Sequence, residues 1–262
     1  MEMDAIQKRL TGILLAVALV MTAGLTFSRA QTIRATRVLM DTSLYQTKAS
    51  PEVRSILDKY SPELNRKMGK VVGYATVDLD SYQPESPLSN MAGDALLAIA
   101  RRHYGLEKVD FALTNFGGIR TSIPAGDLKL YYVYAAFPFE NSLVLVTLKG
   151  SRVRALFETF AQSQRVEVLA GVKLKIENRK ITALTINGKP LDDNKNYHIA
   201  TIDFLLTGGD RMTALKDNLG VDYSGITLRD VILEYIGVFA KNGEPVPARK
   251  DGRVVITKLP EE

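Results

Sequence analysis

Apolar residues recur along this chain at two spacings, helical and strand-like, separated by glycine, proline and asparagine. Ser50-Pro51-Glu52 supplies a cap, a first-turn proline and an early acid. Val53, Ile56, Leu57, Tyr60 and Leu64 then share one face, so a helix is predicted here, kinked or broken at Pro62. Residues 70–79 have the Val-Val-Gly-Tyr-Ala-Thr-Val content of a strand. The clearest helix covers 88–104, with Met91, Leu96, Ile99 and Ala100 on one side and Gly105 as its stop. A short buried strand follows at 109–114 and a short helix at 128–136. Residues 143–148 are apolar throughout, the mark of a strand covered on both faces. An amphipathic helix at 151–161 turns Val153, Leu156, Phe157 and Phe160 inward. Residues 172–177 and 180–186 alternate across Asn178-Arg179 and predict a hairpin, with a second turn at Asn187-Gly188. A strand at 197–202, a helix at 227–240 and a strand at 253–257 complete the set. Helices and strands mix without strict alternation, so the expected class is α+β, a single mixed helix/sheet domain, rather than doubly wound α/β.

The first thirty residues change this picture. Lys8 and Arg9 precede an apolar run at 13–27, and Ser28-Arg29-Ala30 places small residues at the −3 and −1 positions of a cut. That is the layout of a secretory signal, and the run is shorter than the roughly 20 residues a membrane-spanning helix needs. The expected organisation is a signal peptide at 1–30, a polar lead-in at 31–49 and one domain at 50–262. The expected location is exported, periplasmic or extracellular, with membrane contact only through that signal. The absence of cysteine suits a bacterial periplasm better than a disulfide-rich secretome. Net charge is +5, and +4 without residues 1–30, with no dense basic run, so a nucleic acid polymer is not an expected partner.

Three segments carry candidate chemistry. Thr114-Asn115-Phe116-Gly117-Gly118-Ile119-Arg120 ends a strand with exposed backbone between an amide and a guanidinium. Such loops suit ligand binding because the sheet fixes their ends while their backbone stays free to bond. A plain turn is the commoner reading of Gly117-Gly118 alone, and the flanking amide and guanidinium shift that balance only modestly. Phe137-Pro138-Phe139 and Phe204 can each plug the core or offer a plate to a flat ligand. Gly208-Gly209-Asp210 follows Phe204, and a short acid after two glycines suits the vicinal hydroxyls of a ribose. Two phenylalanine plates on a base would each supply roughly 1 to 3 kcal/mol of stacking.

These segments resemble the C-terminal, substrate-recognising domain of the secreted and periplasmic 5′-nucleotidases. The resemblance runs from about residue 70 to about 257. It rests on Asn90-Met91-Ala92-Gly93-Asp94-Ala95-Leu96, on 114–120, on Pro138-Phe139, on Leu148-Lys149-Gly150, on Asp203-Phe204 through Gly208-Gly209-Asp210, and on Asp251-Gly252-Arg253-Val254. It implies a substrate-binding set of Asn115, Gly117, Gly118, Arg120, Phe139, Phe204, Gly208, Gly209 and Asp210. Phe139 and Phe204 would stack on opposite faces of the base, with Asn115 at its edge. Arg120 would reach the ribose and phosphate, and Asp210 would hold ribose hydroxyls. The chain departs from that pattern at Tyr82-Gln83-Pro84-Glu85-Ser86, where phosphate-holding arginines are expected, and at Phe116, where a small residue is expected.

The resemblance also implies that the chemistry belongs to a two-metal domain that activates water. Here His103 and His198 are the only histidines, neither in an Asp-x-His segment, and there is no glycine-rich phosphate loop. The expected catalytic and metal residues of this chain are therefore none, and its expected cofactors none. Divalent metals are expected only in a separate metallophosphoesterase chain that partners it. The expected ligand is a nucleoside or nucleoside monophosphate. A stand-alone nucleoside-binding protein for capture or sensing, and a purely structural protein, are the alternatives.

Overall fold

A computed structural model of the chain describes residues 50–257; the expected signal and lead-in at 1–49 and the last five residues lie outside it. In chain order the elements are α1 (Pro51–Met68), β1 (Val71–Ala75), α2 (Pro87–Tyr104), β2 (Phe111–Thr114), β3 (Gly126–Lys129), α3 (Leu130–Ala136), β4 (Ser142–Lys149), α4 (Gly150–Ser163), β5 (Val168–Ala170), β6 (Val172–Glu177), β7 (Lys180–Ile186), β8 (Lys189–Pro190), β9 (Asn196–Ile202), α5 (Asp203–Leu206), β10 (Gly220–Thr227), α6 (Leu228–Lys241) and β11 (Val254–Thr257). The class is α+β. The described residues from Ser55 onward form one compact unit.

Strands that are apolar without alternation need cover on both faces, and they sit centrally. All of β2 is buried, as are four successive residues of β4, Leu143 to Val146. They belong to a five-stranded sheet in the order β10-β4-β9-β2-β5. Only the β2–β9 pair is parallel in that sheet, Phe111 lying opposite Ile199 and Ala112 opposite Ala200. Helix α2 packs on β2 and β5, and α4 on β4 and β9, closing a core that includes Phe111, Phe157, Leu96 and Leu148. The hairpin across Asn178-Arg179 forms as predicted, both residues at positive φ (50° and 62°), and with β8 and β11 it makes a four-stranded sheet.

Several expectations change. Pro62 does not break α1, which continues through it. The strand predicted at 70–79 stops at Ala75, after a register shift between Val71 and Gly73; a Cβ on Gly73 would lie 2.3 Å from Ile236 Cγ2 of α6. The helix predicted from 128 begins at Leu130, because the preceding residues pair with β1 as β3. Strands β5 and β10 were not legible in the sequence, the first being only three residues long and the second carrying Asp222, Ser224 and Gly225.

Two of the family-like motifs serve the scaffold. Glu85 is buried and accepts from the N–H groups of Asp251 (2.6 Å), Gly252 (3.0 Å) and Val254 (3.1 Å) and from Asn90 Nδ2 (3.1 Å). The Arg253 guanidinium donates to both carboxylate oxygens of Asp94 (2.7 and 3.0 Å), to Asp251 and to the Leu169 carbonyl. These bonds tie the C-terminal segment to α2 and β5.

Candidate functional site

The register of the five-stranded sheet brings four chain segments to one end. Leu143 at the start of β4 lies opposite Ile202 at the end of β9, and Thr114 at the end of β2 lies opposite Val168 at the start of β5. Phe139 precedes β4, Phe204 follows β9, and Asn115 follows β2. The sheet thus gathers residues far apart in sequence into one rim.

Asn115 is buried at 5% exposure, and its Nδ2 donates to Asp210 Oδ2. An ionised carboxylate only accepts, so the bond orients the Asn115 amide and leaves Oδ1 as its free acceptor. That Oδ1 has no partner among the described residues, and neither do Thr114 Oγ1 and Thr201 Oγ1. All three belong to this end of the sheet, where each unpaired buried oxygen costs about 1–3 kcal/mol.

The glycines are needed for close approach. A Cβ on Gly118 would sit 2.8 Å from Asn115 Oδ1, and one on Gly117 would crowd Asp210 Oδ2 at 3.3 Å. A Cβ on Gly209 would lie 2.6 Å from the Phe204 ring, and Gly208, at φ +84°, leaves room for Lys216. Gly208-Gly209 therefore seats the Phe204 side chain and turns the backbone toward Asp210, which itself sits at φ +49°.

Both aromatic rings point outward. Phe139 is 48% exposed and Phe204 43%, whereas Phe137 is buried and takes the role of core plug. Arg120 Nη1 folds back onto the Gly117 carbonyl at 3.3 Å, and its backbone N–H bonds Ala136, tying the loop to the end of α3. Arg120 lines a hollow of about 390 Å³ together with Tyr82, Gln83, Phe116 and Arg165 among others. Tyr82 and Gln83 stand where the family pattern would put arginine; Arg165 enters the same hollow from the segment after α4.

The sequence reading missed Glu167. It directly precedes β5, and its Oε2 accepts the Phe116 N–H at 2.6 Å. Burial pushes its carboxyl up to about 7, against the pull of the Phe116 N–H; the nearby Asp210 charge adds to the rise and Arg165 opposes it. The only signal was an acid one residue before a short apolar strand, which in sequence looks like a solvated charge. His103 is exposed on α2, and His198 lies on β9 beside Asp110, so neither joins this rim.

Fold and rim define a class: an α+β domain whose candidate binding surface is assembled from loops at one end of a mixed sheet. Residues 71–217, over half of the chain, match the family described as "5′-nucleotidase, C-terminal domain", and the chain belongs to that family. It is 33% identical over 178 residues to protein UshA of Yersinia enterocolitica, covering 66% of this chain and 31% of the relative. It is 28% identical over 206 residues to a 5′-nucleotidase of Vibrio parahaemolyticus, covering 76% of this chain and 36% of that one. Among solved structures, the 5′-nucleotidase precursor of Thermus thermophilus superimposes with a TM-score of 0.68 at 25% identity, over 80% of this chain and 44% of that chain. The chain thus spans about a third of the length of the curated relatives it matches.

Proposed function

We propose that this chain is the recognition half of an exported 5′-nucleotidase, binding a nucleoside or nucleoside monophosphate at the rim built around Asn115 and Asp210. The observation that carries the reading is the gathering, at one sheet end, of two outward phenylalanines and a buried amide with an unpartnered acceptor. Aromatic plates suit any base face, and a fixed amide suits a base edge. Gly117, Gly118, Gly208 and Gly209 let backbone and carboxylate come close, and Asp210 Oδ1 faces the role of accepting ribose hydroxyls. The Arg120–Arg165 hollow is the part of the surface suited to phosphate, since guanidinium groups match phosphate oxygens in charge and geometry.

Hydrolysis is assigned to a separately encoded metallophosphoesterase chain. The support is the family match itself: residues 71–217 match the C-terminal domain, whereas the resemblance places the two-metal chemistry in another domain. Divalent ions held by that partner would activate water; this chain would hold and orient the nucleotide. The pattern of residues 1–30 supports export of the pair.

Titration calorimetry with adenosine and AMP tests the binding step, with AMP hydrolysis measured with and without a purified metallophosphoesterase chain. Binding by this chain, with metal-dependent hydrolysis only when both chains are present, is expected. Hydrolysis by this chain alone would overturn the division of labour. Binding without hydrolysis in any combination would make it a capture protein.

A further inference from the structure

The Asn115–Gly118 turn is held by two carboxylates that come from different parts of the chain. Asp210 takes the Asn115 side chain, and Glu167 takes the next residue's backbone, the Phe116 N–H at 2.6 Å. The other bonds of the turn are Gly118 N–H to the Asn115 carbonyl (3.3 Å), Ile119 N–H to the Phe116 carbonyl (3.0 Å), Arg120 N–H to the Ala136 carbonyl (2.9 Å) and Arg120 Nη1 to the Gly117 carbonyl (3.3 Å), and none of them holds the Phe116 N–H. Glu167 is itself well placed to act as a post. It directly precedes Val168, which pairs with Thr114 in the sheet, so the post and the root of the turn share one rigid ladder.

We propose that Glu167 is a positioning residue of the candidate nucleoside site, fixing the Asn115–Gly118 turn through the Phe116 N–H so that Asn115 and the paired glycines keep their binding geometry. The inference rests on the nucleoside reading given above. A hydrogen bond to a carboxylate is stronger than one to a neutral acceptor, and an N–H left without it would free the turn to move away from Asp210. Glu167 also borders a hollow of about 250 Å³ shared with Thr159, Ser163, Arg165, Asp210 and Arg211, so protons and ions reach it from solvent. The charged groups facing it are Asp210 and Arg211 from the turn after α5 and Arg165 from its own segment. Its carboxyl, pushed up to about 7, makes the bond respond to pH near neutrality.

The test uses the full chain, labelled with nitrogen-15. The Phe116 amide proton is expected to move downfield as pH rises from roughly 5.5 to 8.5, following ionisation of the acceptor, and to show no such inflection in Glu167→Gln. Glu167→Ala removes the acceptor and is expected to weaken adenosine binding about tenfold. Glu167→Gln keeps an acceptor oxygen and should restore most of that affinity while abolishing its pH dependence. An amide that does not titrate, or titrates equally in Glu167→Gln, overturns the proposal, as does an unchanged adenosine affinity in Glu167→Ala. A titrating amide in a wild-type chain that binds no adenosine would sink the nucleoside reading and uphold Glu167 only as the anchor of the turn.

Discussion

Phe139 and Phe204 are the residues on which the binding reading turns, because both leave large apolar rings exposed. Phe139→Ala and Phe204→Ala should each weaken adenosine binding by about 1–3 kcal/mol in calorimetry, with little change in melting temperature. A loss of fold with no nucleoside effect would return both rings to the core-plug reading. In the proposed reading Arg120 and Arg165, which line one hollow, address a different part of the ligand. Replacing either by alanine should reduce affinity for AMP while leaving adenosine nearly unchanged, and raising salt should shrink the difference. Equal loss for both ligands would remove phosphate from that hollow. Arg165 matters most here, since it reaches the hollow beside Tyr82 and Gln83, where family-like arginines are absent.

At the scale of elements, α1 and α2 show that periodicity identifies a helix without saying what it packs on. Both carry an apolar stripe. In α2, eleven residues are buried and the Ser86–Ser89 capping box closes its first turn. In α1 none is buried, and Val53, Ile56, Leu57, Tyr60 and Leu64 are all exposed. Leu57→Ser should therefore change stability by less than about 0.5 kcal/mol in denaturant melts. Leu96→Ala should cost about 2–5 kcal/mol, because it opens a cavity against β2 and β5. Gly150 illustrates an element boundary decided from outside: a Cβ there would lie 1.9 Å from the Asp192 carbonyl oxygen, whose neighbours Asp193 and Lys195 accept the first N–H groups of α4.

Across the whole molecule, the Glu85, Asp94, Asp251 and Arg253 network joins the C-terminal segment to a helix some 160 residues earlier in sequence. The Arg253 hydrogen bonds hold the Asp251 carboxyl below its usual range, with burial opposing them. A folded value below the unfolded one gives stability that is present above about pH 4 and lost as pH falls through the folded value. Asp251→Asn should accordingly melt lower than wild type at pH 7, and the gap should narrow in acid melts below pH 4. A gap that is constant with pH would mean that the carboxylate charge contributes nothing to the network.

Sequence alone determined the type of most elements and the positions of the long helices, because helical and alternating patterns are local properties of the chain. It also determined the family, through 114–120, 203–210 and 251–254, whose residue types and order survive without coordinates. It located the loops carrying Asn115, Phe139 and Phe204, though not the segment before β5 that meets them. Only the tertiary structure decided which of those motifs bear on the rim and which, like Asn90, Asp94 and Arg253, fasten the scaffold. It alone revealed β10, Arg165 beside Arg120, and Glu167 beneath Phe116. The reason is physical. A carboxylate's role depends on which N–H lies within hydrogen-bonding reach, and strand register, acting between residues distant in sequence, sets that distance.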